Sequence, residues 1–211
     1  YEIIPCNFVN LKEELIKRGV TNIDGIMFDL GVSSPQLDDP TRGFSFHEDA
    51  RLDMRMDTSQ GLSAYEVVND YSLSELIRII KNYGEEKYAS LIAKAIVSKR
   101  EIKKIETTLE LVNVIQDCVP SKYKRLTHPA RRTFQAIRIE VNKELSILPK
   151  AFEDAISLLK VGGVISVITF HSLEDKICKD IFAKHSKIDD IVKGLPVIPD
   201  ECKPELKVYK K

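Results

Sequence analysis

Three groups of residues in this chain have types and spacing that suit chemistry. The first is Asp29-Leu-Gly-Val-Ser-Ser-Pro-Gln36. An acid at the end of an apolar run, followed by Gly31 and then Ser33-Ser34-Pro35, places acceptors and a rigid turn at the carboxyl end of a strand. That is where open α/β sheets bind ligands. The same residues would also make an ordinary turn with Asp29 capping a loop, and spacing alone weights the two readings equally. His171-Ser172 closes a second apolar run and reaches the same kind of edge. A triad of Ser34, His171 and Asp29 is conceivable, but no G-x-S-x-G elbow accompanies it.

The second group is Gly43 to Asp57. His47, Glu48, Asp49, Asp53 and Asp57 are oxygen and nitrogen ligands of the kind a divalent cation takes. No established metal spacing is present, so pairing of Asp53 with Arg51 and Arg55 to pin a loop is the favoured reading. Phe44, Phe46, Met54 and Met56 are expected to pack beneath that loop rather than stack a base. The third group, Ser121 to Arg132, holds five basic residues and one histidine and no acid. With Lys99, Arg100, Lys103 and Lys104 it forms either a phosphate-binding face or an ordinary solvated surface. Arg138 and Asn142 follow one helical turn apart on the next helix.

These groups need elements to position them. Tyr1–Pro5 reads as a short strand, 8–18 as a helix ended by Gly19, and Ile23–Leu30 as a strand buried on both faces. Strand, helix, strand implies a parallel α/β sheet. Helices follow Gly61: one after the Ser72/Glu75 capping box and ended by Gly84, one over Glu86–Arg100, and one after Thr107/Glu110 that stops before Pro120. Two more are expected over Ala130–Ser146 and from Pro149 to before Gly162. Val164–Phe170 is a second buried strand, and Ser172 with Asp175 starts another helix. The tail from Gly194 carries prolines and no periodicity. The architecture is an α/β domain interrupted by a helical insert that leaves at the carboxyl end of the Ile23–Leu30 strand.

The chain has 211 residues, 43% hydrophobic, with 32 basic and 32 acidic side chains. The zero net charge is an average. Residues 1–57 hold six basic and eleven acidic residues, a net of −5, and residues 58–145 hold fifteen and eleven, a net of +4. A basic middle can meet a polyanion even in a neutral chain. No apolar run is long enough to span a bilayer, so no membrane partner is expected. Cys6, Cys118, Cys178 and Cys202 form no CxxC motif, which favours free thiols in a reducing compartment, the cytoplasm by default. G-x-G-x-x-G and P-loop motifs are absent.

Three ordered segments resemble one family. They are Asp24-Gly-Ile-Met-Phe-Asp-Leu-Gly-Val-Ser-Ser-Pro-Gln-Leu-Asp38 running into Arg42-Gly-Phe-Ser-Phe46 and Leu52-Asp-Met-Arg-Met-Asp57, then Arg132-Thr-Phe-Gln-Ala-Ile-Arg138 with Val141-Asn142, then Ser166-Val-Ile-Thr-Phe-His-Ser-Leu-Glu-Asp175. Tyr83-Gly-Glu-Glu86 fits as well. Together they resemble the bacterial ribosomal small-subunit RNA (cytosine-N4)-methyltransferases, the MraW or RsmH family, over nearly the whole chain.

The resemblance implies a Rossmann-like methyltransferase domain, here partial, with an inserted all-helical domain. Residues 1–40 and 146–211 would form the methyltransferase part and 41–145 the inserted substrate-recognition part. It implies S-adenosyl-L-methionine as donor, with Phe8 against the adenosine and Asp29 and Gln36 in polar contact. It implies small-subunit ribosomal RNA, or the assembled small subunit, as partner, with a homodimer as a further candidate and no metal. The expected reaction is direct attack of the cytosine N4 amine on the sulfonium methyl. Ser33, Ser34 and Pro35 would supply acceptors at N4–H, and His171 is a candidate for the lost proton. Lys122, Lys124, Arg125, Arg131, Arg132, Arg138 and Asn142 would meet the RNA. Family members carry a Gly-rich loop upstream and a basic segment downstream, so the sequence reads as an internal fragment. Two alternatives stand beside the enzyme: an RNA-binding or ribosome-assembly fragment without catalysis, and, more remotely, a hydrolase using Ser34 and His171. A polypeptide that begins at Tyr1 is expected to bind the donor poorly. Calorimetric titration giving micromolar affinity would overturn that expectation.

Overall fold

The computed structural model describes residues 1–125, 128–188, 192, 196–199 and 202–209. Leu126 and Thr127 of the basic segment, and Gly194 at the head of the tail, lie outside the described residues. In chain order the elements are α1 (Leu11–Lys17), β1 (Ile23–Asp29), α2 (Ser34–Asp38), α3 (Ala64–Asp70), α4 (Leu73–Asn82), α5 (Ala89–Ile102), α6 (Thr108–Cys118), α7 (Ser121–Lys124), α8 (Arg131–Asn142), α9 (Leu148–Leu158), β2 (Leu159–Ile168) and α10 (Ser172–Ser186). The chain divides into two compact units, residues 1–31 with 145–211, and residues 32–144. Among the described residues no helix is long and apolar enough to cross a membrane.

The first unit is built on parallel pairing of β1 with β2, Ile26 opposite Ile165, Phe28 opposite Val167 and Asp29 opposite Ile168. Alternation puts Ile26, Phe28 and Leu30 on one face. There Phe28 and Leu30 are buried with Leu148, Ala151, Phe152 and Ala155 of the α9 segment, and Ile177 and Ile181 of α10 pack alongside. The expected burial on both faces does not occur. Met27 is 68% and Val164 61% exposed, because the helices that pack on this sheet within the unit join the Phe28 face. Tyr1–Pro5 is likewise not a strand; Tyr1 and Ile3 are exposed and no described strand pairs with them.

The second unit is helical apart from one isolated bridge, Arg51 to Thr107, among its described residues. The capping boxes at Ser72/Glu75 and Thr107/Glu110 form as expected, and Ser63/Glu66 adds a third at the head of α3. Leu76, Ile79 and Ile80 of α4, Ile92 and Ile96 of α5 and Leu111 and Ile115 of α6 are fully buried in one core. Helix α8 ends at Asn142 rather than Ser146 because Lys143 turns left-handed, at φ +54°.

Phe44 and Met54 are buried, with Phe46 and Met56 packed against the same core, so the loop does sit on its aromatic and methionine side chains. Gly43 is required there: a Cβ would run into the Arg51 carbonyl, and its φ is +70°. Met54 also takes a positive φ, +58°, uncommon for a side chain of its size. Asn142 holds that geometry. Its amide NH2 donates to the Met54 carbonyl at 2.7 Å and its carbonyl oxygen accepts the Met56 N–H at 2.7 Å. Asn142→Ala would leave the buried Met54 carbonyl and the half-buried Met56 N–H without these partners. It should cost about 2–4 kcal/mol of stability, read as a lower urea midpoint with an unchanged slope.

Candidate functional site

In the first unit the parallel register brings the two carboxyl strand ends together. Asp29 pairs with Ile168, and the Leu30 N–H donates to the Ile168 carbonyl at 3.2 Å. The chain turns away at Gly31, φ +86°. Asp29 is exposed, and its carboxylate has no ion pair among the described residues. Phe8 follows the Asn7 cap of a short 3-10 turn, where Asn7 Oδ1 accepts the Val9 N–H. Its half-buried ring meets Phe28 edge-on at 5.8 Å, and Phe28 meets Phe152 at 5.2 Å. Phe8 is therefore anchored in the core while keeping some exposed surface.

His171 is the N-cap residue of α10. The expected Ser172/Asp175 start is displaced by one residue, and Glu174 does the reciprocal capping. Its carboxylate accepts the N–H of Phe170 at 2.8 Å and of His171 at 3.4 Å. Glu174 Oε1 also lies 3.3 Å from His171 Nε2. Burial by itself raises the Glu174 carboxyl, but the His171 contact and the backbone donors outweigh it and hold the group below its usual value. Sequence reading missed Glu174. The signal was available as an acid three residues after His171, hidden because histidine is a rare cap.

In the second unit Ser33 caps α2, with Ser33, Ser34 and Pro35 exposed. Gln36 turns back so that its Oε1 accepts the Ser33 N–H at 3.0 Å. Three carboxylates of the 43–57 loop have partners within the unit: Asp49 accepts the Leu109 N–H, Asp57 accepts from Ser59, and Asp53 holds Arg55. Asp53 receives Arg55 through Nε at 2.9 Å and Nη2 at 2.7 Å, and Arg55 Nη1 donates to the Thr58 and Gln60 carbonyls. The Asp53–Arg55 pair therefore pins the loop, while Arg51 takes the backbone bridge to Thr107.

The basic residues separate into two sets. Lys122, Lys124, Arg125 and Arg131 are exposed and make no ion pair among the described residues. Arg132 is exposed and donates to the Glu85 carbonyl. Between them Tyr123 is buried, and its hydroxyl donates to the buried Glu86 carboxylate; burial, then Glu86, pushes the phenol to about 12. Arg138 and Asn142 do not face outward as expected. Arg138 makes a two-pronged pair with Glu144, both contacts 2.8 Å, with side chains 18% and 8% exposed. Asn142 is spent on Met54 and Met56. The second expected patch is also largely neutralised: Lys103 pairs with Glu110, Lys104 with Asp70, and Arg100 donates to the Val68 and Tyr71 carbonyls.

The sequence model of the MraW methylase family matches residues 1–211. The chain belongs to the MraW methylase family. It is 56% identical over 209 residues to the ribosomal RNA small subunit methyltransferase H of Exiguobacterium sibiricum, a match covering 99% of the chain and 67% of that relative. In this methylase of mixed helix and sheet, the first unit brings exposed Asp29, at the end of β1, and His171, the N-cap of α10 with its ring nitrogens buried, to the same edge of the parallel pair.

Glu174 gives a pH test. A carboxyl held low in the folded state stabilises above its unfolded value, near 4.5, and loses that contribution as pH falls through the folded one. Glu174→Gln should lower the melting temperature at pH 7 and lose part of the acid-induced decline of the unaltered chain. Parallel melting curves against pH check it.

Proposed function

We propose that this chain methylates the N4 amine of a cytosine in small-subunit ribosomal RNA, with S-adenosyl-L-methionine as donor. The observation that carries the reading is the 56% identity, across nearly the whole chain, to a relative named for small-subunit ribosomal RNA. In this reading residues 1–31 with 145–211 are the Rossmann-like methyltransferase part, and residues 32–144 are an inserted helical part that recognises RNA. The substrate is either the free RNA or the assembled subunit, in the cytoplasm.

The residues present fit the donor's chemistry. Asp29 offers an exposed carboxylate, unpaired among the described residues, at the edge where parallel sheets bind ligands. Phe8 offers an anchored aromatic surface, and Gln36 adds an amide. When bound, the donor supplies an electrophilic sulfonium methyl.

The remaining work is on the acceptor. The lone pair of a cytosine N4 is delocalised into its ring, so the amine is a poor nucleophile. The exposed hydroxyls of Ser33 and Ser34, held ahead of the rigid Pro35, accept N4–H and direct the lone pair toward the methyl. An N4 amine that accepts the methyl would have to shed a proton. In this reading His171 takes the proton, with Glu174 Oε1 3.3 Å from its Nε2 to stabilise the charged ring. Lys122, Lys124, Arg125, Arg131 and Arg132 meet phosphates.

The polypeptide carrying this chain, incubated with donor and small-subunit RNA, should yield N4-methylcytidine on nucleoside mass spectrometry. Asp29→Asn should reduce the initial rate by roughly ten- to a hundredfold, the worth of a charged hydrogen bond. A different methylated nucleoside, or an undiminished rate in that variant, refutes the reading.

A further inference from the structure

The second unit contains an aromatic and imidazole cluster for which neither the fold nor the proposed chemistry accounts. Phe46 stacks on His128, with centroids 4.5 Å apart and planes 23° apart. His47 leans on Phe46 at 4.4 Å and stands 5.4 Å from His128. Phe134 of α8 closes the base of the cluster, edge-on to Phe46 at 5.8 Å. The inner members are fixed, because Phe46 packs against the unit's core and Phe134 is buried in it. His47 is exposed.

Two features separate this cluster from ordinary packing. The imidazole ring of His47 makes no hydrogen bond or ion pair among the described residues, and Nδ1 of His128 is buried without a partner. Buried polar atoms normally find one. Burial, then the neighbouring His47, also holds His128 below its usual value, so its ring is neutral near pH 7 and apt to stack. The cluster is also next to unpaired positive charge. The Arg131 N–H donates to the His128 carbonyl at 3.1 Å, which places exposed Arg131 one turn from the stack.

We propose that His47, backed by Phe46 and His128, is a stacking platform for an unpaired base of the RNA substrate, with Arg131 meeting the adjoining phosphate. The inference rests on the RNA reading given above and adds a site to it. Every base has a π-face, so a flat ring beside a cation holds single-stranded RNA with little sequence preference, and side chains of this kind commonly do so.

The test uses fluorescence anisotropy with the 211-residue chain and two labelled single-stranded RNAs, one carrying all its bases and one abasic at successive positions. The unaltered chain should bind the complete RNA more tightly. His47→Ala should weaken binding of the complete RNA by about five- to fiftyfold and leave the abasic RNA unaffected. His47→Phe, which keeps a ring and loses the nitrogens, should bind nearly as the unaltered chain does. Arg131→Ala should weaken both RNAs and reduce the salt slope by about 0.7. Unchanged binding in His47→Ala, or equal weakening on both RNAs, overturns the platform while leaving the RNA reading intact. Failure of the unaltered chain to bind either RNA overturns both.

Discussion

Parallel pairing of Ile23–Asp29 with Leu159–Ile168 constrains everything else in the first unit. Two parallel strands cannot be joined by a tight turn; the chain must travel back to the starting end before the second strand begins. Here the route between them includes a helical unit with its own core. The entropic cost of closing so long a connection grows only with the logarithm of its length, so the intervening chain can fold separately at modest expense. The pairing also sets the chemistry. Register places Asp29 beside Ile168, so the acid and the His171 cap leave the sheet at one edge.

Stability and presentation divide along the same lines in the second unit. Asn142 and Arg138 carry polar groups that an RNA would welcome, yet each is committed to a loop or a carboxylate inside the unit. A buried polar group without a partner costs more than a made bond returns, so such residues fix the scaffold. Within the 121–132 run, Lys122, Lys124, Arg125 and Arg131 are exposed and unpaired among the described residues. Tyr123, buried within that run, ties it to Glu86. A buried anchor between exposed cations keeps the charges outward at a fixed place without engaging any of them.

Much of this was legible in one dimension. The Ser72/Glu75 and Thr107/Glu110 caps show in sequence because the reciprocal bonds depend on a spacing of three residues. The β1 and β2 strands show as apolar runs between turn residues, and the aromatic and methionine side chains of the 43–57 loop pack as their character suggests. The spacing of Asp29 to Gln36 fits a ligand edge and an ordinary turn equally, and it does not reveal that Gln36 caps Ser33. Tyr1–Pro5 read as a strand because its residues favour extended backbone, but a strand is defined by a partner and none of the described ones supplies it.

The sequence by itself determined the local elements, the free-thiol chemistry of four unpaired cysteines, the family, and the concentration of positive charge in the middle of the chain. Those properties depend on residue type and on separations of one to four positions, which a linear string records. Only the tertiary structure decided which charges remain available. Arg138 meets Glu144 six residues on, Asn142 reaches back to Met54, and His128 stacks on Phe46. Contacts such as Asn142 to Met54 and His128 to Phe46, 80 or more positions apart, follow from how the second unit packs around a shared core. What a substrate can meet is what packing leaves unspent.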